Sequence, residues 1–236
     1  MTREIAVVDD PAATAAERIA ATVARGGQIV LAGGSTPRRA YERLAEMDLD
    51  WSAAELWLGD ERCVSPDHEH SNYRMVVEEL VDRVPPQRRP VVHRIPGELG
   101  PHAAADAFED ELRAAFGADA ELPAFDLVLL GIGPDAHTAS LFPGDPALGE
   151  RRRWAVGVET PGMAPLVSRV TLTLPVLNAA RGVLFLISGA DKAEAVARAF
   201  GDAPGPDAPA SLVRPERGAL TVLLDGPAAT RLGAAG

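Results

Sequence analysis

The sequence predicts a single α/β domain, residues 1–236, built on a mostly parallel sheet with helices on both faces. Short apolar runs of strand length alternate with amphipathic stretches of helix length almost from end to end. The runs are continuously apolar rather than alternating, as strands covered on both sides must be. The only Pro/Gly-rich candidate linker, Gly201–Ala210 (GDAPGPDAPA), is too short to divide the chain.

Asp10-Pro11 reads as a cap and a first-turn proline, opening a helix with Ala16, Ile19, Ala20 and Val23 turned inward. Gln28–Ala32 (QIVLA) is a buried strand, Pro37–Ala45 a helix, and ELWLGDE around Leu56–Leu58 a second strand. Ser71 caps a helix from Asn72 to Val81. Val91–Ile95 is a strand, and AAADAFEDELRAAF a helix closed by Gly117. Phe125–Gly131 (FDLVLLG) is the most apolar strand. Trp154–Glu159, Arg169–Leu174, Val183–Ser188 and Leu220–Asp225 follow, with helical segments after Pro175, from Asp191 to Phe200, and after Pro227.

Composition narrows the function. The chain is 47% hydrophobic with a formal charge of −11, which argues against nucleic acid or an anionic membrane as partner, since both require clustered positive charge. No apolar run approaches the ~20 residues of a membrane span, and MTREIAVVDDPAATAAER lacks the apolar core of a secretory signal. Cys63 is the only cysteine, which excludes an intrachain disulfide and a cysteine-based zinc site. A cytoplasmic protein is expected.

In parallel sheets of this kind ligands bind beyond the carboxyl ends of the strands. Three strands end in unusual polar loops. Gly33-Gly34-Ser35-Thr36-Pro37 joins a strand to a helix: the glycines admit an anion close to the backbone, Ser35 and Thr36 bring hydroxyls, and the helix start brings free N–H groups. The same string also suits an ordinary capped turn. Gly59-Asp60-Glu61-Arg62-Cys63-Val64 is followed by Ser71-Asn72-Tyr73-Arg74; Arg62 and Arg74 are suited to gripping phosphate or sugar oxygens, whereas Asp60 and Glu61 taken singly read as a surface ion-pair cluster. Asp67-His68-Glu69-His70 between them reads as a solvated loop rather than a metal site. The third loop, Gly131–Gly144 (GIGPDAHTASLFPG), ends the most buried strand with Asp135 two residues before His137, an arrangement for an oriented general base. His93 and His102 read as structural. Lys192, the only lysine, opens a helix at another strand end and can offer charge to a phosphate.

GGSTP, GDERCV with downstream SNYRM, and GIGPDAHTASLFPG, in this order, closely resemble the 6-phosphogluconolactonases. The likeness continues through RVTLTLPVLNAA, LISGADKAEAV, ASLVRP and LLDGPAA, and so spans nearly the whole chain. It implies a modified Rossmann-like fold and hydrolysis of 6-phospho-D-glucono-1,5-lactone to 6-phosphogluconate, without organic cofactor or obligatory metal; a monomer or weak homodimer is expected. Carried over by position, Gly33, Gly34, Ser35, Thr36, Asp60, Arg74, Arg169 and Lys192 fall at the substrate and its phosphate, while His137, Asp135 and Arg62 carry the chemistry. Ser35 and Cys63 are disfavoured as nucleophiles because neither stands in a strand-to-helix elbow. One residue departs from the pattern: Ala136 stands where the family has glycine. A positive φ there would cost about 1 kcal/mol and threaten the orientation of the His137 backbone.

Two other readings stay open on the sequence. An aldose–ketose isomerase or amino-sugar deaminase on the same fold would take Asp60 or Glu61 as a carboxylate base, although Thr138–Phe142 departs from the deaminase string. A non-catalytic sugar-phosphate-binding protein is the third.

Overall fold

The computed structural model describes residues 2–202, 204–205 and 207–233. The predicted apolar runs become β2 (Gln28–Leu31), β3 (Glu55–Leu58), β5 (Val91–His93), β6 (Leu127–Leu130), β9 (Gly182–Ile187) and β10 (Ala219–Leu224). Together with β1 (Thr2–Val7) they form one seven-stranded sheet, ordered β1-β10-β9-β6-β2-β3-β5, in which every pairing is parallel. All four residues of β6 are buried, as are all but the first of β9 and of β10. Both faces of the sheet centre are therefore covered, which is why these segments read as unbroken apolar strings.

The helices are α1 (Pro11–Val23), α2 (Ser35–Ala45), α3 (Asn72–Glu79), α4 (Pro101–Phe116), α5 (Leu174–Ala179), α6 (Ala193–Phe200) and α7 (Gly226–Ala229). Asp10 caps α1 by accepting from the Ala13 N–H at 3.0 Å, with Pro11 in the first turn. Ala16, Ile19 and Val23 are buried as expected, while Ala20 is only half-buried. Ser71 caps α3 through the Arg74 N–H at 3.1 Å. Gly117 closes α4 at a φ of +102°. From α4, Phe108 and Phe116 pack around Trp57 of β3 together with Phe125, with ring centroids 5.8–6.0 Å from the indole.

Three features differ from the sequence reading. The strands around Trp154–Glu159 and Arg169–Leu174 do not join the parallel sheet. As β7 (Ala155–Val158) and β8 (Arg169–Leu172) they pair antiparallel with each other and with β4 (Asp60–Arg62), in the order β4-β8-β7. The reason is local: β4 continues β3 after a single residue, Gly59, and carries the chain off the main sheet. β1 was hidden because its residues are mostly exposed at the sheet edge. Lastly, α2 starts at Ser35, two residues before the expected Pro37, which brings Ser35 and Thr36 into its first turn.

Candidate active site

Going outward from the middle of the sheet, chain order rises through β2, β3 and β5 on one side and through β6, β9 and β10 on the other. The switch point lies between β2 and β6, where loops leaving the carboxyl ends diverge and open a crevice. A cleft of about 230 Å³ occupies that place. Its walls come from the loops after β2 (Gly33–Pro37), β3 (Asp60, Arg62), β6 (Gly131–Pro134, His137–Ala139) and β9 (Ser188, Lys192), with Arg169 from β8.

The first loop is held from behind. Tyr41 of α2 donates its hydroxyl to the Ala32 carbonyl at 2.7 Å and accepts from the Ala32 N–H at 3.0 Å. Burial, opposed by that hydrogen bond, pushes the phenol far above its usual range, so it remains a neutral clamp. Gly34 takes a φ of +109° as the residue before α2, and no side chain caps the helix. The N-terminal end of α2 thus turns its free donors toward the cleft.

The second loop supplies charge. Arg62 and Arg169 are directly opposed across the β4–β8 pair. Like charges facing each other across strands repel, yet neither guanidinium has a carboxylate partner among the described residues. Arg62 donates Nη1 to the His70 carbonyl at 2.6 Å; Arg169 donates Nη2 to the carbonyls of Met163 and Pro165 at 3.0 and 3.3 Å. The Nε of each is buried without a partner among the described residues. Arg169 is 3% exposed, and burial draws its pKa down against the pull of Asp60. Two opposed guanidiniums, Arg169 buried and Arg62 half-buried, each with an unpartnered Nε, are suited to an anion between or above them.

The third loop supplies an oriented imidazole. The Gly133 N–H donates to the His137 carbonyl and the Ala136 N–H to the Gly133 carbonyl, both at 2.9 Å, closing a tight turn. Asp135 Oδ1 lies 2.5 Å from His137 Nδ1 and accepts the His137 N–H at 3.1 Å. Burial raises the Asp135 carboxyl, but its bond to and attraction by His137 outweigh that and hold it below the usual carboxylate range. With Nδ1–H directed at Asp135, the lone pair of neutral imidazole sits on Nε2, on a ring that lines the cleft. Phe142 backs the ring at 4.5 Å. Ala136 does adopt the left-handed backbone that suits glycine, with φ +67°, and Ala139 follows at +48°. The alanine takes up that conformation itself, so the His137 backbone is not turned away.

The whole site can therefore hold an anionic, oxygen-rich molecule on cationic and N–H groups while an oriented imidazole accepts a proton from water. The sequence matches the family model of glucosamine-6-phosphate isomerases/6-phosphogluconolactonase over residues 3–222. The chain belongs to this family. A 6-phosphogluconolactonase of Synechocystis sp. is 41% identical over 216 residues, covering 88% of this chain and 86% of the relative. One from Streptomyces coelicolor is 38% identical over 96% of this chain and 86% of its own. The solved 6-phosphogluconolactonase from Trypanosoma cruzi has a TM-score of 0.85 at 30% identity, with 98% of each chain covered. A monomeric glucosamine-6-phosphate deaminase has a TM-score of 0.80 at 22% identity over 98% of this chain and all of its own, a likeness of fold alone.

Against this family frame, the structure gathers Gly33, Gly34, Ser35, Thr36, Asp60, Arg62, His137, Arg169 and Lys192 around one cleft, with Asp135 behind His137. Lys192 also pairs with Asp191 at 3.2 Å. Arg74 is not among the cleft residues. It faces outward from α3, pairs with Glu78 at 2.7 Å and donates to the Asp67 carbonyl, because the turn that Ser71 caps directs its side chain away. Asp60 and Glu61 are not a surface ion-pair cluster either: they are 7% and 2% exposed. Glu61 accepts from the N–H groups of Arg62, Asn72 and Tyr73 and from the Ser71 hydroxyl, fixing the start of α3; burial raises its pKa against those bonds. His93 stacks on Trp57 between Glu55 and Glu111, and His102 meets Glu159, both away from the cleft.

Sequence reasoning missed Asn72 and Met163 as cleft residues and gave Ser140 no role. Asn72 stood in the SNYRM string, where it read only as a helix start. Met163 carries no local signal, since it reaches the cleft on the loop between β7 and β8.

Proposed function

We propose that the chain hydrolyses 6-phospho-D-glucono-1,5-lactone to 6-phospho-D-gluconate, in the oxidative branch of the pentose phosphate pathway. One observation carries this reading: the free face of an Asp135-oriented imidazole shares a cleft with two opposed guanidiniums that lack carboxylate partners among the described residues. His137 Nε2 takes a proton from water as the oxygen bonds to lactone C1. The tetrahedral oxyanion is met by Arg62, and the C1–ring-oxygen bond then breaks as Nε2–H returns the proton to the ring oxygen. Asp135 keeps the tautomer and steadies the transient imidazolium. The Gly34–Thr36 turn, Arg169 and Lys192 hold the phosphate.

General-base assistance supplies about 10²–10⁴-fold and an oxyanion donor about 10²–10³-fold, which suits an ester that is already activated. No electrons or carried groups change hands, so the reaction calls for no organic cofactor. We read the protein as cytoplasmic and as a monomer or weak homodimer; no helix among the described residues is long and apolar enough to cross a membrane.

The test is a coupled assay in which glucose 6-phosphate is oxidised to the lactone and its decay followed with and without the protein. His137→Ala is expected to lose most of the acceleration, and near-full activity in that variant would remove the mechanism. The deaminase reading needs a free carboxylate base. Both oxygens of Asp60 already accept hydrogen bonds, from Ser140 and Asn72. Incubation with glucosamine 6-phosphate is expected to release no ammonia.

A further inference from the structure

We propose that Asp60 is a positioning residue that ties the anion-holding turn to the imidazole loop through two separate arms, Ser140 and Asn72. The inference rests on the lactonase reading for its kinetic test, but its geometry does not. Asp60 is buried where β3 passes into β4, bonds directly to the third loop through Ser140, and reaches the first loop through Asn72. Its Oδ2 accepts from the Ser140 hydroxyl at 2.5 Å. Ser140 is fully buried, three residues beyond His137, and is turned inward after the left-handed Ala139. Its N–H donates to Thr171 Oγ1 at 3.2 Å, and Thr171 is the residue opposite Asp60 on β8.

The other arm runs to the first loop. The Asn72 amide donates to both the Asp60 carbonyl, at 2.9 Å, and Asp60 Oδ1, at 3.2 Å. Its own oxygen presses on Gly33 so closely that a Cβ there would lie 2.0 Å away. Gly33 is glycine because this amide occupies the space. A buried carboxylate with a donor on each oxygen is held rigidly and is not free to act as a base. Its attraction also acts on Arg169, opposing the burial that draws that guanidinium's pKa down.

The two arms make different demands. Ser140 holds the loop that carries the proton acceptor, so its loss should act on the chemical step. Asn72 holds the turn that grips the anion in ground and transition state alike, so its loss should act on binding. In the coupled assay Ser140→Ala is expected to lower kcat about 10–100-fold with KM within about threefold. Asn72→Ala is expected to raise KM about tenfold with kcat within about threefold. A purely structural role would move both constants together in both variants, and that result overturns the proposal, as does a wild-type split in either.

Turnover of the unaltered protein is measured first, so that absence of lactonase activity counts against the proposed function alone. The arms are then read without turnover, by titrating inorganic phosphate against the amide resonances of Gly34, Ser35 and Thr36. Asn72→Ala is expected to weaken that response about tenfold and Ser140→Ala to leave it unchanged. No response in the unaltered protein, or equal weakening in both variants, overturns the assignment. Thermal unfolding accompanies each variant; should either fail to fold, Ser140→Cys and Asn72→Ser, which leave one more side-chain atom in place than alanine, replace it under the same criteria.

Discussion

The imidazole of His137 depends on backbone that leaves room for it. A Cβ on Gly133 would sit 2.1 Å from both Cε1 and Nδ1 of the ring and 2.7 Å from Asp135 Oδ1. Gly133→Ala must therefore displace the imidazole, and under the proposed mechanism kcat is expected to fall about 10²-fold, as a shift near 1 Å does elsewhere; steady-state kinetics of the folded variant checks this. Ala136→Gly is the opposite case. Glycine would relieve about 1 kcal/mol of left-handed strain but give up a buried methyl worth ~0.8 kcal/mol and gain unfolded-state freedom worth ~0.4–1 kcal/mol. The terms nearly cancel, so urea unfolding is expected to show a change below about 1 kcal/mol, with kcat within about threefold. A large gain in kcat would mean that the alanine holds the ring out of position.

Among the elements, α4 holds Arg153, just ahead of the antiparallel sheet, through two carboxylates, the exposed Asp106 and the buried Glu109. Glu109 accepts from Arg113 one turn on, at 2.8 Å, and from Arg153, just ahead of β7, at 2.7 Å. Burial would raise its pKa, but the two arginines outweigh burial and hold it below the usual range. Because the folded state binds this proton less tightly than the unfolded state, the contribution is present above the ordinary glutamate value near ~4.3 and is lost as pH falls through the lowered folded value. Glu109→Gln is expected to cost about 1–3 kcal/mol at neutral pH. In urea unfolding that deficit against the unaltered protein should shrink as the pH drops below about 4. A deficit independent of pH would show that packing, not charge, carries the effect.

For the molecule as a whole, the anion binding proposed at the switch point of the sheet makes stability depend on ligand. A ligand at a hundredfold its Kd adds about 2.7 kcal/mol, and a domain of this size gains roughly 2–4 °C in Tm per kcal/mol. Saturating 6-phosphogluconate is thus expected to raise Tm by about 5–10 °C in a thermal-shift measurement. Arg169→Ala should abolish most of the rise, since that guanidinium is buried and lacks a carboxylate partner among the described residues. An undiminished shift in Arg169→Ala would move the anion elsewhere. The chain's charge of −11 makes the effect a local one, produced by cations concentrated in a single cleft.

Local chemistry was legible wherever one stretch of chain decides its own conformation. Burial on both faces writes itself as the apolar strings of β2, β6 and β9. The caps at Asp10 and Ser71 and the stop at Gly117 follow from side-chain and backbone preferences that act within a turn, and the three polar loops stand at strand ends that periodicity locates. Other features depend on partners far away in sequence. β1 is a strand because it pairs residue for residue with β10, more than two hundred positions on. Arg62 gains its meaning only by facing Arg169, Asp60 by reaching Ser140 and Asn72, and Arg74 loses its expected place through the turn that begins α3. Residue types and short-range periodicity set what each segment can be; which charges meet, and which are left without a partner, is decided when chain crossings bring distant loops to one end of the sheet.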